Sequence, residues 1–391
     1  MILDKLFHLM AEKNASDIFV SAGAPISIKI HGNCIPINQQ VMDPPTIQRM
    51  AYEILTPDQI AGFEADRELN LSFGIADVGN FRVNMFWQRG SIGIVVRFIT
   101  SQIPRIDELS LPTVLSDLIM EKRGLVLVVG ATGSGKSTTI AAMLDHRNAN
   151  HSGHILTVED PIEFLFKHKK SIINQREVGL DTKSWEGALK NAMRQAPDCI
   201  LIGEIRDKET MSAAIAYAQT GHLCLATLHA NNAYHALNRI INFFPLENRT
   251  SLYLDLSATL RSIISQRLVR KPDGSRTPAV EILLNTRHVA ELIEKGEVNG
   301  IKEAMEQSLA PGSQTFEQDL FRLYKANIIT LEEALANADS PTNLSWLINN
   351  SQVQTPPSKN IKVPFATATT EPADKNAGGA SFAEFTLNMD G

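Results

Sequence analysis

Leu125-Val126-Leu127-Val128-Val129-Gly130-Ala131-Thr132-Gly133-Ser134-Gly135-Lys136-Ser137-Thr138 decides the fold of this chain. An apolar run leads directly into G-x-x-x-x-G-K-S, and a helical pattern opens at Lys136 and continues to Leu144. Strand, tight loop and helix are the context in which this spacing has a mechanism. The glycines let backbone N–H groups turn inward around phosphate oxygens, and the helix N-terminus adds partial positive charge. Lys136 is set to reach the β- and γ-phosphates, and the Ser137 hydroxyl to ligate Mg²⁺. Gly130, Ala131, Thr132, Gly133, Ser134, Gly135, Lys136, Ser137 and Thr138 are therefore the expected phosphate-binding residues of a nucleotide site.

Outward from this stretch, 154–159, 199–202 and 222–228 read as further strands, with helices of about 10–15 residues between several of them. That pattern predicts an α/β domain with a buried parallel sheet. It starts at Val114 and runs to about residue 350, with Leu320–Leu335 helical. Residues 1–102 read differently. Asp17–Val20, Ile26–Ile30, Phe81–Phe86 and Ile92–Phe98 alternate in strand period, with helical patterns at Pro45–Leu55 and Pro57–Glu64. This is a small α+β domain. Residues 103–113 carry two prolines and no sustained period, so they form a mobile linker. From Ser351 to Gly391 the chain turns to Pro, Thr, Ala, Asn and Gly, which cannot bury enough surface to fold alone. Within that disordered tail, Phe382–Leu387 is more apolar, as a tail end or a short docking peptide.

Composition bounds the partners. The chain has 391 residues, 43% of them hydrophobic, and a net charge of −6. There is no basic stripe, so nucleic acid is not an expected partner. Cys34, Cys199 and Cys224 make no C-x-x-C pair, which argues against structural zinc. No run of about 18 apolar residues occurs. The expectation is a soluble cytoplasmic chain that meets a membrane only through partners.

A nucleotide triphosphatase also needs an acid at the metal, a group that activates water, and positive charge on the transition state. Cys199–Asp207 is an apolar strand ending in Glu204, beside the expected Mg²⁺ position, because strand C-termini face the ligand in such sheets. His154–Phe164 ends in three carboxylates, Glu159, Asp160 and Glu163, one of which would polarise the attacking water. Thr220–Asn231 carries His222 and His229 at the two ends of a strand. At about 3.3 Å per residue they are too far apart to share a metal, so a γ-phosphate sensor, an interface switch or a structural role stays open for each. Arg82, Arg89 and Arg97 lie on strands of the first domain. Arg82 and Arg97 could project toward a nucleotide held by the second, or simply face solvent.

Four blocks in this order, Gly130–Ser137, His154–Phe164, Ile200–Asp207 and Gly221–Asn231, resemble the Walker A, aspartate, Walker B and histidine boxes of the secretion-type ATPase superfamily. Over about residues 1–345 the chain resembles the type IV pilus retraction ATPases of the PilT/PilU family. The resemblance implies a RecA-like P-loop ATPase core behind a small N-terminal PAS-like domain. It implies ATP and Mg²⁺ as cofactors and a homo-hexameric ring on the cytoplasmic, inner face of the inner membrane, seated on a pilus platform protein. It makes Glu163 the catalytic glutamate and Glu204 the Walker B acid that shares the metal with Ser137. It makes Lys136 and His229 catalytic, His222 part of the nucleotide site, and Arg82 and Arg97 contacts of the nucleotide phosphates.

Two departures are notable. His288-Val-Ala-Glu-Leu-Ile293 has Ala290 where PilT-type members carry an arginine, and the tail is long. With Arg194-Gln-Ala-Pro-Asp198, these features resemble the PilU branch, whose members resemble accessory motors acting with a PilT-type ATPase. The competing expectations are a pilus-extension or type II secretion ATPase, a RecA-like nucleic-acid translocase, and a nucleotide-gated scaffold without turnover. The lack of a tetracysteine motif speaks against the first, and the acidic balance against the second. Intact Lys136, Glu163 and Glu204 speak against the third.

Overall fold

The computed structural model describes residues 2–351, apart from residues 31, 76–77 and 100–101. Two sheets organise them. The first is wholly antiparallel and is built from β1 (Asp17–Val20), β2 (Pro25–Ile30), β3 (Asn33–Val41), β4 (Glu68–Ile75), β5 (Gly79–Gln88) and β6 (Ser91–Ile99). Their order is β3-β2-β1-β6-β5-β4. Alternation sets its faces: Phe81, Val83 and Met85 of β5 are buried with Ile18 and Val96. Helices Ile2–Glu12, Pro44–Tyr52 and Pro57–Asp66 supply Leu3, Phe7, Met10, Ile47, Met50 and Phe63 to the same core.

The second sheet comprises β7 (Gly124–Val129), β8 (His154–Glu159), β9 (Ile172–Glu177), β10 (Cys199–Ile202), β11 (Leu223–Leu228), β12 (Leu260–Arg270) and β13 (Arg276–Leu284), in the order β13-β12-β7-β11-β10-β8-β9. All neighbours are parallel except the hairpin of β12 with β13. The central strands β7, β10 and β11 are buried at every position, as their unbroken apolar runs require. Helices on both faces complete the α/β core: Leu125, Leu127 and Val129 pack to one side, Val126 and Val128 to the other.

Several boundaries differ from the sequence reading for local reasons. The helix after the glycine loop runs from Lys136 to Asn150, six residues past Leu144. The 320–335 segment is two helices, Phe316–Lys325 and Leu331–Asn337. Asn327 between them has φ 55°, which no helix continues through, and Thr330 caps the second helix. The 103–113 segment is pinned, with Ile106 and Leu111 buried against Val126, Val128 and Ile140. Cys199 and Cys224 are buried and free. Among the described residues no helix is long and apolar enough to cross a membrane. Ser351 closes the helix Pro341–Ser351, and the rest of the expected tail lies outside the described residues.

Candidate active site

The glycine loop joins the end of β7 to the helix Lys136–Asn150. Gly130, Gly133 and Gly135 have φ of 156°, 79° and 91°, conformations that L side chains rarely adopt. A methyl group on Gly130 would also meet the Gln266 carbonyl at 2.6 Å and press on Ser134 Oγ, so the first glycine is required by space as well as by φ. No side chain caps the helix start at Gly135. Its leading N–H groups are free of side-chain acceptors and open toward the loop. Ser134 Oγ is buried with no protein partner, another donor that suits an anion in this cradle. Lys136 is 8% exposed. Its Nζ donates to the carbonyls of Gly130 and Ala131, each at 2.9 Å. Burial lowers its pKa, and the charges of Glu204 and Glu163 oppose that shift.

The C-terminal ends of β7, β8, β10 and β11 converge on one cavity of about 210 Å³. Lys136, Ser137, Glu159, Glu163, Glu204 and His229 line it, with Thr132, Gly133 and Asp160. Residues far apart in the chain thus share one wall because parallel strands end together. Thr138 is beyond the lining, on the first turn of the helix.

Glu204 sits at the centre of a charge network. Its Oε2 accepts from Arg206 Nε at 2.7 Å, and its Oε1 stands 3.4 Å from His229 Nε2. Arg206 also reaches Asp160 at 3.3 Å. The Glu204 carboxylate raises the Arg206 pKa through that hydrogen bond. Glu163 is exposed on the turn after β8. Glu159, at the strand end, is half-buried, and burial pushes its carboxyl up to about 7. Hydrogen bonds from Thr157 (2.6 Å) and Gln175 (3.3 Å) oppose that shift.

Three expected site residues are placed elsewhere. His222 does not line the cavity: it precedes β11, while His229 follows its other end. The His222 carbonyl accepts from Gly124 N at the start of β7, the end of the sheet opposite the glycine loop, and its ring is bonded to Thr220 and Tyr217. Arg82 and Arg97 face each other across β5 and β6, and neither lines the cavity. Arg97 pairs with Asp17 at 3.0 Å inside the first domain. Arg82 crosses to the second sheet, where Nη2 donates to Glu177 Oε2 at 2.8 Å and to the Ile162 carbonyl at 3.2 Å. Arg89 occupies the β5–β6 turn, with φ 46°.

Two supporting residues were not singled out from sequence. Gln175 of β9 donates to the Phe164 carbonyl (2.8 Å) and accepts from Phe166 N (3.0 Å), holding the turn that carries Glu163. Gln266 of β12 lies beneath the glycine loop, where Thr139 Oγ1 donates to its Oε1. The next residue, Arg267, turns the other way, to the carbonyls of Asn231 and Asn337, to Asp339, and over the Phe316 ring. The signal for both was weak: β9 is an edge strand with no apolar run, and in β12 Ser265-Gln266-Arg267 interrupts the apolar pattern.

Nucleotide and Mg²⁺ both suit this donor set. The orphaned Ser134 hydroxyl and the Gly130 approach fit a phosphate, while Ser137 and Glu204 offer hard oxygens on the cavity wall. Among the described residues no cluster of three or more His, Cys, Asp or Glu forms a cage. A metal that takes its remaining oxygens from phosphate and water needs none.

Comparison with known proteins identifies relatives across most of the chain. A family model described as type II/IV secretion system protein matches residues 1–327. The chain is 48% identical to the type IV pilus ATPase PilU of Pseudomonas aeruginosa, covering 89% of this chain and 91% of that one. It is 39% identical to the PilT retraction ATPase of the same organism, over 88% of this chain and all of that one. Among solved structures, the pilus retraction motor PilT with bound ADP superposes with a TM-score of 0.82 at 41% identity, over 88% of this chain and 98% of that one.

Proposed function

Given that this chain belongs to the type II/IV secretion system protein family, and is an ATPase of its PilT/PilU group, we propose that it is a PilU-type motor of type IV pilus retraction and twitching motility. Lys136, Glu163, Glu204 and His229 on one small cavity are the observation that carries this reading. ATP is the substrate, and its β- and γ-phosphates lie in the loop Gly130–Ser137. Lys136 exchanges its two carbonyl partners for phosphate oxygens. Glu163, exposed and facing the same space, accepts the proton of the attacking water. Glu204 is held by Arg206 and His229, so its carboxylate has a fixed direction. Ser137 and Glu204 would hold Mg²⁺, which would supply charge neutralisation at the phosphates.

The cavity is below the roughly 300–1,000 Å³ that encloses a drug-sized ligand. The chain therefore holds the phosphate end, and closure of another surface completes the site. The first domain, with Arg97, supplies that surface within a homo-hexameric ring, with Arg82 linking that domain to the Glu163 turn, and the ring works from the inner face of the inner membrane on a platform protein. The greater identity to PilU than to PilT, with Ala290 in the altered C-terminal stretch, supports action alongside a PilT-type ATPase.

The test is ATP turnover of the purified chain across protein concentrations, with and without a PilT-type partner. Turnover that rises with assembly and is abolished by Lys136→Ala supports the motor. Turnover unchanged by Lys136→Ala would sink it.

A further inference from the structure

Glu177, the last residue of β9, is 6% exposed and has two tasks for one oxygen. Its Oε2 accepts the Ile162 N–H at 3.0 Å and the Arg82 guanidinium at 2.8 Å. Arg82 in turn donates to the carbonyl of Ile162, so residue 162 is held at both its N–H and its C=O. Ile162 immediately precedes Glu163. Glu177 is itself anchored: its N–H donates to Asp181 Oδ2 at 2.8 Å, and its carbonyl accepts from Asp181 N at 2.8 Å. Two residues back on the same face of β9, Gln175 fixes Phe164 and Phe166. The turn that presents Glu163 is thus clamped before and after that residue, and the clamp before it, at Ile162, includes the Arg82 side chain from the antiparallel sheet.

We propose that Glu177 is a positioning residue for ATP hydrolysis, fixing the turn that carries Glu163 and tying it to the first domain through Arg82. This rests on the functional reading above. Charge-assisted hydrogen bonds are about twice as strong as neutral ones, so the carboxylate holds Ile162 and Arg82 together in a way that an amide does not. A catalytic group displaced by an ångström loses rate, and it does so without losing substrate.

The experiment compares full-length wild type, Glu177→Gln and Glu177→Ala by ATP turnover, melting temperature and deuterium uptake of residues 160–166. Glu177→Gln keeps the side-chain shape and is expected to fold. Its kcat should fall about tenfold and that of Glu177→Ala about a hundredfold, with KM for ATP within about threefold of wild type. Uptake at 160–166 should quicken in both. Wild-type kcat in Glu177→Gln, or unchanged uptake at 160–166, would overturn the proposal. So would a rise in KM matching the loss in kcat with uptake raised across the whole core, because that is the mark of a merely structural role. If Glu177→Ala does not fold, the glutamine variant decides. If wild type shows no Lys136-dependent turnover, the functional reading fails, while uptake at 160–166 still reports whether Glu177 holds the turn.

Discussion

Thr139 Oγ1 donates a 2.7 Å hydrogen bond to Gln266 Oε1 between two side chains that are 1% and 3% exposed. The bond ties the first turn of the loop helix to β12, 127 residues later. The same glutamine packs where a side chain on Gly135 would have to go. Gln266→Ala removes that support and leaves the Thr139 hydroxyl unpaired. Stability should fall by about 1–3 kcal/mol, and ATP affinity should fall with it. Thermal unfolding and nucleotide titration check both. An unchanged melting temperature would mean the bond contributes nothing.

Glu163→Gln should bind ATP with near wild-type affinity and lower turnover by about 10²–10⁴. Equilibrium binding of ATP and steady-state phosphate release separate the two effects. Normal turnover in this variant would remove Glu163 from its role and turn attention to Glu159, on the same wall.

Glu281 gives a pH prediction. It is 6% exposed and takes hydrogen bonds from Ala233 N (2.7 Å) and Ser265 Oγ (2.9 Å). Burial pushes its carboxyl up to about 7 from 4.5. Between those values the folded chain holds a proton that the unfolded chain has released, so stability falls as pH rises from about 4.5 to 7. The contribution is at most about 3 kcal/mol. Glu281→Gln keeps an acceptor for Ala233 and should flatten the wild-type curve over that window. Chemical denaturation at pH 5, 6, 7 and 8 measures it, and parallel curves would refute the assignment.

Removal of residues 352–391 should leave the melting temperature and ATP turnover of the remainder within error. The composition of that segment offers no core to lose. A drop of several degrees on truncation would show that it packs.

The phosphate loop was legible because spacing alone states its mechanism, and β7, β10 and β11 because buried parallel strands are apolar throughout. The place of Glu204 followed from the end of its strand, whereas the strand end at Glu159 left Glu159, Asp160 and Glu163 equivalent, and only the family resemblance singled out Glu163. What escaped was polar and distant. β9 reads Ile-Ile-Asn-Gln-Arg-Glu, with no run and an imperfect period, yet Gln175 and Glu177 come from it. The partner of Arg82 lies 95 residues away, and no local pattern records a contact of that span. The helix Ile2–Glu12 was legible in retrospect, since Leu3, Leu6, Phe7 and Met10 keep a helical spacing. The strand arithmetic that separated His222 from His229 matches their positions at opposite ends of β11.

The size of the cavity also bears on which nucleotide is chosen. Backbone N–H groups and a lysine recognise phosphate oxygens, and these are alike in ATP and GTP. The cavity of about 210 Å³ is lined mainly by groups suited to phosphate and metal. If a second surface closes over the proposed site, choice between adenine and guanine would fall to that surface, and the nucleotide preference of this chain would then change with assembly.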